Sequence, residues 1–248
     1  MPSVDHSFVP LPPSGRTFVT ERRVSIADCR PDGRMELDAV ARFLQDAGND
    51  DTDDAGMAEL GLAWIARRAQ IEVLQSAVAR ELLTLTTWCS GTGSRWAERR
   101  TTIRGEHGAH VEAAAVWVHI DAETGRPTPW GESFAASYLE ATEGRTVDSK
   151  LRHPKRLPED GDRNEMPWRF RRTDLDGFGH VNNTAYLAVI EEAFGEHAPE
   201  AMYVEVEWRK PSDAGEDLTV TEMFTDDGAQ MWIRAGEEIR ATILARPL

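Results

Sequence analysis

Cysteine is nearly absent from the sequence, which has only Cys29 and Cys89 among its 248 residues. Two isolated cysteines make neither a disulfide framework nor a zinc-binding pattern. Long hydrophobic runs are also missing, so no transmembrane helix is predicted. Residues 1–16 lack the basic segment and the apolar run of a secretory signal peptide. Together these absences favour a cytoplasmic protein whose thiols stay reduced.

Positive charge is scarce as well. The chain has 28 Lys and Arg residues against 43 Asp and Glu residues, a formal net charge of −15 at pH 7. A field of that sign repels nucleic acids and anionic membrane surfaces. We therefore expect no nucleic-acid partner and no membrane insertion, although a local basic cluster can still bind an acidic protein.

What the sequence does contain is an internal repeat. Residues 26–35 align without a gap on residues 172–181, 146 positions later, and aspartates and glycines fall in register. Farther along the chain, residues 71–73 align on residues 206–208, 135 positions later. Two collinear matches indicate a duplicated unit.

Both copies show the same order of predicted elements. A short strand, Phe18 to Ile26 in the first copy and Trp168 to Arg172 in the second, precedes a turn that contains glycine. A helix follows, from Leu37 to Ala47 and from Asn183 to Phe194, and β-rich segments come after each helix. The pattern predicts an α+β fold in which each antiparallel sheet curls around its own helix.

A charged stretch with two prolines separates the copies and shows no clear periodicity. We interpret residues 140–165 as a linker. The predicted organisation is therefore an N-terminal repeat over residues 1–139 and a C-terminal repeat over residues 166–248. Because fused repeats already supply their own pairing, a monomer and a homodimer are both compatible with the sequence.

Residues 173–186, TDLDGFGHVNNTAY, resemble the signature of hotdog thioesterases, in which an acidic residue stands about four positions before His-Val-Asn-Asn. Residues 87–93, followed by a pair of arginines, and residues 115–121 are similar to strand motifs of the acyl-ACP thioesterases of plants and bacteria. The resemblance covers about residues 17 to 245. It implies a tandem double hotdog, each repeat an antiparallel sheet wrapped around one long helix. It also implies an enzyme that hydrolyses fatty acyl-acyl carrier protein.

The chain departs from the plant enzymes at two places. Phe178 stands where their pattern has an asparagine, and Lys210-Pro211 stands where their Glu-Cys pair falls. Only Asp176, His180 and the two asparagines after it carry over to this chain. The sequence does not identify which groups replace those that are missing.

Hydrolysis of a thioester needs an activated water or a nucleophile, and a site that stabilises the oxyanion. Asp176 can serve as a general base on water or attack directly. Asn182 or Asn183 lies where a helix N-cap is expected, so unpaired backbone N–H groups of the helix point back at the turn. We assign His180 to orienting the water or the carbonyl, or to protonating the leaving thiolate.

Substrate contacts are predicted in the turn and in the first repeat. Gly179 and Phe178 lie in the turn, and Trp64 and Trp88 are candidate lining residues of the acyl pocket, with plain core packing as the alternative. No cofactor is predicted. No metal site is predicted either, since the turn offers two aspartates and His180 but no further ligand from the helix.

The repeat predicts a single catalytic centre. Arg30 and Arg34 occupy the first-copy positions that correspond to Asp176 and His180, so the first copy has lost the acid and the imidazole. The first repeat is then left to shape the acyl pocket. The glutamates at 191–192 on the predicted helix leave two interpretations open, a second acid or a solvated or salt-bridged pair.

Three rival functions are compatible with the residues. An acyl-CoA thioesterase shares the chemistry with another carrier, a hotdog hydratase or dehydratase also uses Asp and His, and a non-catalytic acyl-binding protein would retain ligand without turnover. The order Asp-x-x-x-His favours hydrolysis. The basic residues at 95–104, 150–156 and 169–172 are candidate docking surfaces for an acidic carrier protein, or simply solvated surface. Acyl chain length and the choice of carrier are not determined by the sequence.

Overall fold

A computed structural model describes residues 8–57, 63–159, 161–225 and 227–248. The strands are β1 (Thr17–Arg23), β2 (Ala63–Gln75), β3 (Leu82–Thr92), β4 (Trp96–Gly105), β5 (His110–Ile120), β6 (Asn164–Trp168), β7 (Met202–Trp208), β8 (Leu218–Thr225), β9 (Gly228–Ala235) and β10 (Glu238–Pro247). The β-rich segments predicted after each helix all lie in strands. The predicted short strand at the start of each copy is displaced toward the N-terminus, most clearly in the second copy, where β6 ends at Trp168.

The described strands form one antiparallel sheet in the order β1-β3-β4-β5-β2-β7-β10-β9-β8-β6. Each of β1 to β5 has its counterpart five strands later, in β6 to β10, and the counterparts follow in the reverse order across the sheet. A pseudo-twofold axis therefore relates the two halves. The axis passes between β2 and β7, where Gln70 is paired directly with Glu205. These residues are 135 positions apart, the spacing of the second repeat match, so each is the counterpart of the other. The predicted duplication is confirmed.

The helix of the first repeat is α1 (Leu37–Asp54). It begins where predicted but continues well past Ala47, because Asp51 in its last turns is buried between two arginines. Arg16 donates to Asp51 Oδ1 at 2.6 Å and Arg99 to Oδ2 at 2.5 Å. Paired and hydrogen-bonded in this way, a charged residue can be buried in the helix without a large desolvation cost.

The helix of the second repeat is wound in two ways. It begins as a 3-10 segment over Asn183–Leu187 and continues as α3 (Ala188–Phe194). Tight 3-10 turns are frequent at helix N-termini. Another short helix, α2 (Glu132–Tyr138), follows β5 and was not predicted.

The main apolar core lies between the helices and one face of the sheet and contains side chains of both repeats. Strand alternation assigns the faces. In β7, Val204 and Val206 belong to this core, whereas Glu205 and Glu207 lie on the opposite, outer face. Since the core is continuous across the pseudo-twofold axis, the two repeats share one hydrophobic interior.

The segment that follows α2 crosses the outer face of the sheet. Trp96 Nε1 donates to Val147 O at 2.8 Å, and Arg68 Nη1 donates to Lys150 O at 2.8 Å. His153 is buried nearby. The residues interpreted as a linker are therefore held against the sheet by specific hydrogen bonds. No described helix is both long and apolar enough to cross a membrane.

Candidate active site

The turn that carries the predicted catalytic residues is built by backbone hydrogen bonds. Asp176 N donates to His180 O at 2.9 Å, and Gly179 N donates to Asp176 O at 3.0 Å. Gly179 has φ +80°, a left-handed conformation that favours glycine. Asn182 N donates to Asp174 O at 2.8 Å and ties the end of the turn to its beginning. This network holds the acid, the imidazole and the helix start in one short loop.

The Asp176 carboxylate is half-buried, and its two oxygens differ. Oδ1 accepts from Phe178 N at 2.9 Å and from His180 N at 3.4 Å. Oδ2 forms no hydrogen bond with any described residue. One oxygen thus fixes the orientation of the group, and the other remains available to a water molecule or a substrate.

The other predicted catalytic residues, His180, Asn182 and Asn183, follow Asp176 within seven positions of the sequence. Asn182 is the N-cap of the following helical segment, and its Oδ1 accepts from Thr184 N at 2.9 Å. Asn183 is the first residue of that segment and is half-buried. His180 is exposed, and its ring forms no hydrogen bond among the described residues. An imidazole in that position can turn toward a bound substrate.

The four predicted substrate-contact residues are not brought together. Gly179 and Phe178 lie in the turn, with Phe178 90% exposed at its tip. Trp64 is packed in a separate aromatic cluster, 5.2 Å from Phe134 and 5.0 Å from His119 between ring centroids. Gly179 and Phe178 are therefore neighbours of Asp176 in the turn, whereas Trp64 packs against α2 through Phe134.

Trp88 lies on the outer face of the sheet. Leu83 and Leu85 of β3 belong to the main core, and alternation places Trp88 on the other side. Its ring is 5.3 Å from the Arg100 guanidinium, a cation–π contact. This position faces away from the helices. The sequence could not show it, because both faces of β3 are buried from Thr87 to Gly91 and an aromatic residue could lie on either.

The first repeat has a turn of the same backbone geometry with different side chains. Arg30 N donates to Arg34 O at 2.8 Å, and Gly33 has φ +86°, close to the values 146 positions later. Here Glu191 reaches across from α3. Its Oε1 accepts from Leu37 N at 2.7 Å, and its Oε2 lies 2.9 Å from Arg30 Nε. Burial raises the pKa of Glu191, while the Leu37 N–H and Arg30 act in the opposite direction.

This first-repeat arrangement, formed by Arg30, Leu37 and Glu191, is called the closed centre below. It shows that the first N–H of α1 binds an anionic oxygen, as expected at a helix N-terminus. A carboxylate of the protein itself already occupies the position. Of the two interpretations left open for residues 191–192, the salt-bridged one holds for Glu191.

One buried cluster has metal-ligating groups. Single ligand atoms of His153, Glu205 and Glu207 all lie within 4.8 Å of one another. Glu207 Oε2 accepts from His153 N at 3.1 Å and from Arg209 Nη2 at 3.0 Å, and Arg152 N donates to Oε1. These donors already satisfy Glu207 and add positive charge, so the cluster serves to anchor the crossing segment to the sheet.

The positions that correspond to the plant Glu-Cys pair show no catalytic geometry. Lys210 is exposed and pairs with Glu238 at the surface. Both cysteines are free thiols, and burial raises the pKa of Cys89 to about 11. At neutral pH such a thiol is almost entirely protonated and is a poor nucleophile.

The basic clusters differ in how accessible they are. Arg99 and Arg100 are held by ion pairs with Asp51 and Glu112. Arg171 is exposed but bound to Asp174 at 2.9 Å. Arg172, beside the turn that carries the predicted catalytic residues, is exposed and forms no ion pair with a described residue.

Comparisons with known proteins agree with this architecture. Models of the acyl-ACP thioesterase N-terminal and C-terminal domains match residues 15–138 and 158–242. An uncharacterised protein of Mycobacterium tuberculosis H37Rv is 31% identical over 247 residues, 99% of this chain and 98% of its own length. The chloroplastic oleoyl-acyl carrier protein thioesterase of Coriandrum sativum is 23% identical over 177 residues, 63% of this chain and 48% of its own length.

A solved structure shares the fold. The 12:0-ACP thioesterase from Umbellularia californica superposes with a TM-score of 0.75 at 17% identity, covering 93% of this chain and 96% of that one. The predicted fold class, a tandem double hotdog, is confirmed. With both domain models matched in order along most of the chain, the protein belongs to the acyl-ACP thioesterase family and is a thioester hydrolase.

Proposed function

We propose that the protein hydrolyses fatty acyl-acyl carrier protein to a free fatty acid and the free carrier thiol, at the centre formed by Asp176, His180, Asn182 and Asn183. The observation that carries the proposal is the state of the Asp176 carboxylate. One oxygen is held by two backbone N–H groups and the other is open. The family membership supports thioester hydrolysis, and the geometry supports this residue as its base or nucleophile.

The chemistry follows from these groups. Asp176 Oδ2 accepts a proton from a water molecule as the water oxygen attacks the thioester carbon, and the carbonyl π electrons move to the oxygen. Collapse of the tetrahedral intermediate breaks the C–S bond and releases the carrier thiolate, which is then protonated. In the alternative route Asp176 attacks directly, and water hydrolyses the resulting anhydride. His180 orients the water or carbonyl and can donate the proton to the thiolate.

The closed centre of the first repeat indicates which backbone N–H in the second repeat would bind the oxyanion. Leu37 N binds a carboxylate oxygen at 2.7 Å, and its counterpart 146 positions later is Asn183 N. Asn183 N is not used by the Asn182 cap, which takes Thr184 N instead. The N–H of Asn183 is therefore the proposed donor to the thioester oxygen, and loss of such a donor typically costs about 10²–10³ in rate.

The first test removes the acid. Asp176→Asn keeps the size of the side chain but cannot accept the proton, so the kcat for thiol release should fall by about 10²–10⁴. Thiol release is followed with carrier-protein and CoA thioesters of several chain lengths, and circular dichroism checks that the variant is folded. Full activity of the folded variant would refute the role of Asp176. Binding of acyl chains without turnover by the wild type would favour the non-catalytic alternative, and hydration of enoyl thioesters would favour the hydratase.

A second test concerns the carrier. Arg172→Glu should lower kcat/KM on acyl-carrier protein by about five- to tenfold and leave acyl-CoA nearly unaffected, because the carrier protein is acidic. Arg126→Glu is the matched control, since it makes the same charge change at an exposed position outside the three candidate docking surfaces. Equal losses on both thioesters would argue against docking at Arg172, and a higher wild-type kcat/KM on acyl-CoA than on acyl-carrier protein would favour the acyl-CoA thioesterase.

The proposal includes a cytoplasmic location, which the two free thiols support. Phe178 is proposed to contact the substrate, because an exposed aromatic ring at the tip of the catalytic turn can cover the bound thioester. For Trp64 and Trp88 the aromatic cluster and the outer face support structural roles instead.

A further inference from the structure

The pseudo-twofold axis makes each contact between the repeats informative about its counterpart. The two turns agree in their backbone hydrogen bonds, and the isolated bridges Cys29–Met35 and Leu175–Val181 also lie 146 positions apart. The helices are paired across the axis, since α1 contacts the segment Asn183–Leu187 and α3. A residue that reaches across from one helix should thus have a counterpart that reaches the other turn.

Glu191 is such a residue. It reaches from α3 to the N-terminus of α1 and to Arg30, and it builds the closed centre. Moving each member of that contact by 146 positions gives Asn183 for Leu37, Asp176 for Arg30, and Gln45 on α1 for Glu191. Gln45 is half-buried, and its side-chain amide forms no hydrogen bond with another described residue.

From this correspondence we propose that Gln45, in the first repeat, is a positioning residue of the second-repeat centre, where its amide orients the Asp176 carboxylate and the attacking water. The inference rests on the proposed function of Asp176. It makes the catalytic centre composite, because the first repeat then supplies a polar group to the chemistry in addition to shaping the acyl pocket.

The side-chain chemistry fits the position. In the closed centre an anion faces a cation, Glu191 against Arg30. In the catalytic centre the cation has become Asp176, and a carboxylate at position 45 would repel it. A glutamine has no charge, donates through its N–H groups to a carboxylate or a water, and accepts through its carbonyl. Being neutral, it also competes less well than a carboxylate for Asn183 N, which stays open to the thioester oxygen.

The test compares Gln45→Ala and Gln45→Glu on the full-length protein. Gln45→Ala should lower kcat by about 10- to 100-fold with little change in KM, because it loosens the geometry of attack without touching the acyl pocket. Gln45→Glu should lower kcat as well and move the acid limb of the pH–rate profile upward by about one pH unit, since a second carboxylate disfavours ionisation of Asp176. Asp46→Asn, at the next and exposed position of α1, is the control and should behave as wild type.

The outcomes are separable from those of the proposed function. If Asp176→Asn is inactive while both Gln45 variants retain wild-type kcat and pH profile, the role of Gln45 is wrong and the role of Asp176 stands. If Asp176→Asn is active, the proposed function itself is wrong. A fall in kcat for Gln45→Glu without a shift of the acid limb would indicate a merely structural contribution and would also overturn the inference, and thermal melting of each variant identifies a loss of folding.

Discussion

At the scale of single residues, the two turns of the repeat show that one backbone conformation can carry side chains of opposite charge. The same hydrogen bonds hold Asp176 in one copy and Arg30 in the other. In the second copy the acid keeps one oxygen open, whereas in the first the arginine and the helix N–H are closed by Glu191. A change of a few side chains has therefore left one centre accessible and sealed its counterpart.

A prediction at this scale concerns Glu191. The Glu191 side chain is 16% exposed and the Arg30 side chain 11% exposed. Glu191→Ala removes the carboxylate that caps the N-terminus of α1. It also leaves the largely buried Arg30 side chain without its charge partner. The free energy of unfolding should fall by about 2–4 kcal/mol. Urea denaturation measures the loss.

Glu192→Ala is the matched control, because Glu192 is the next residue on α3 and is exposed. Surface changes of this kind usually alter stability by less than about 0.5 kcal/mol. Equal stabilities of the two variants would show that Glu191 does not support the N-terminus of α1.

At the scale of elements, the segment between the repeats is the part whose behaviour differs most from its composition. It is charged and contains prolines, yet it is fastened over the outer face of β2 and β7. His153 lies among Glu205, Glu207, Arg209 and Thr242, with its Nδ1 3.1 Å from Thr242 Oγ1. The Thr242 hydroxyl and the two carboxylates of Glu205 and Glu207, near the pseudo-twofold axis, thus determine where the crossing segment binds to the sheet.

A pH dependence follows from this docking. Burial, the largest effect on His153, lowers its pKa below the ordinary value of 6.5, so the folded state keeps the ring neutral. The unfolded chain binds the proton below about pH 6.5, and stability is therefore lost as pH falls through that value toward the folded-state pKa. Above it the contribution is fully present. His153→Gln removes the titration, and its free energy of unfolding should fall less than that of wild type between about pH 7.5 and 5.5.

Denaturation at several pH values measures that difference, and His197→Gln is the control because His197 is exposed. The same slope for wild type and His153→Gln would mean that His153 is not held neutral in the folded protein. A change of slope in His197→Gln of similar size would assign the effect to histidines in general.

At the scale of the whole molecule, the sheet and the core make the two repeats one folding unit. β2 and β7 are paired over six residues of each strand, and the main core draws side chains from both repeats. A separated repeat would expose an unpaired edge strand and the apolar face that its partner covers. We therefore expect the two repeats to unfold together and not as two separate domains.

The corresponding prediction is made on two fragments, residues 1–157 and 158–248. Neither should show a cooperative thermal transition alone, and mixing them should restore native circular dichroism and tryptophan fluorescence. The intact chain should unfold in a single transition seen alike by both probes. A fragment that melts cooperatively by itself would show that one repeat is stable without the other.

Much of the fold could be predicted because repetition and alternation are local properties of the sequence. The offset of 146 positions located both turns, and apolar alternation located most strands. The extension of α1 to Asp54 was missed because Asp51 looks like a surface residue until Arg16 and Arg99 are brought to it. For the site, the sequence indicated Asp176, His180 and the Asn182 cap, since their spacing along one turn defines their neighbourhood.

What the sequence determined by itself is the duplicated plan, the family and the chemistry offered by one turn. Only the tertiary structure decided that Glu191 closes the first centre and that Trp88 faces away from the helices, and the place proposed for Gln45 follows from the pseudo-twofold relation between the repeats. The physical reason is that these facts depend on which distant elements pack together. Spacing along the chain specifies a turn or a strand face, but the partner across a pseudo-twofold axis is specified only by the fold.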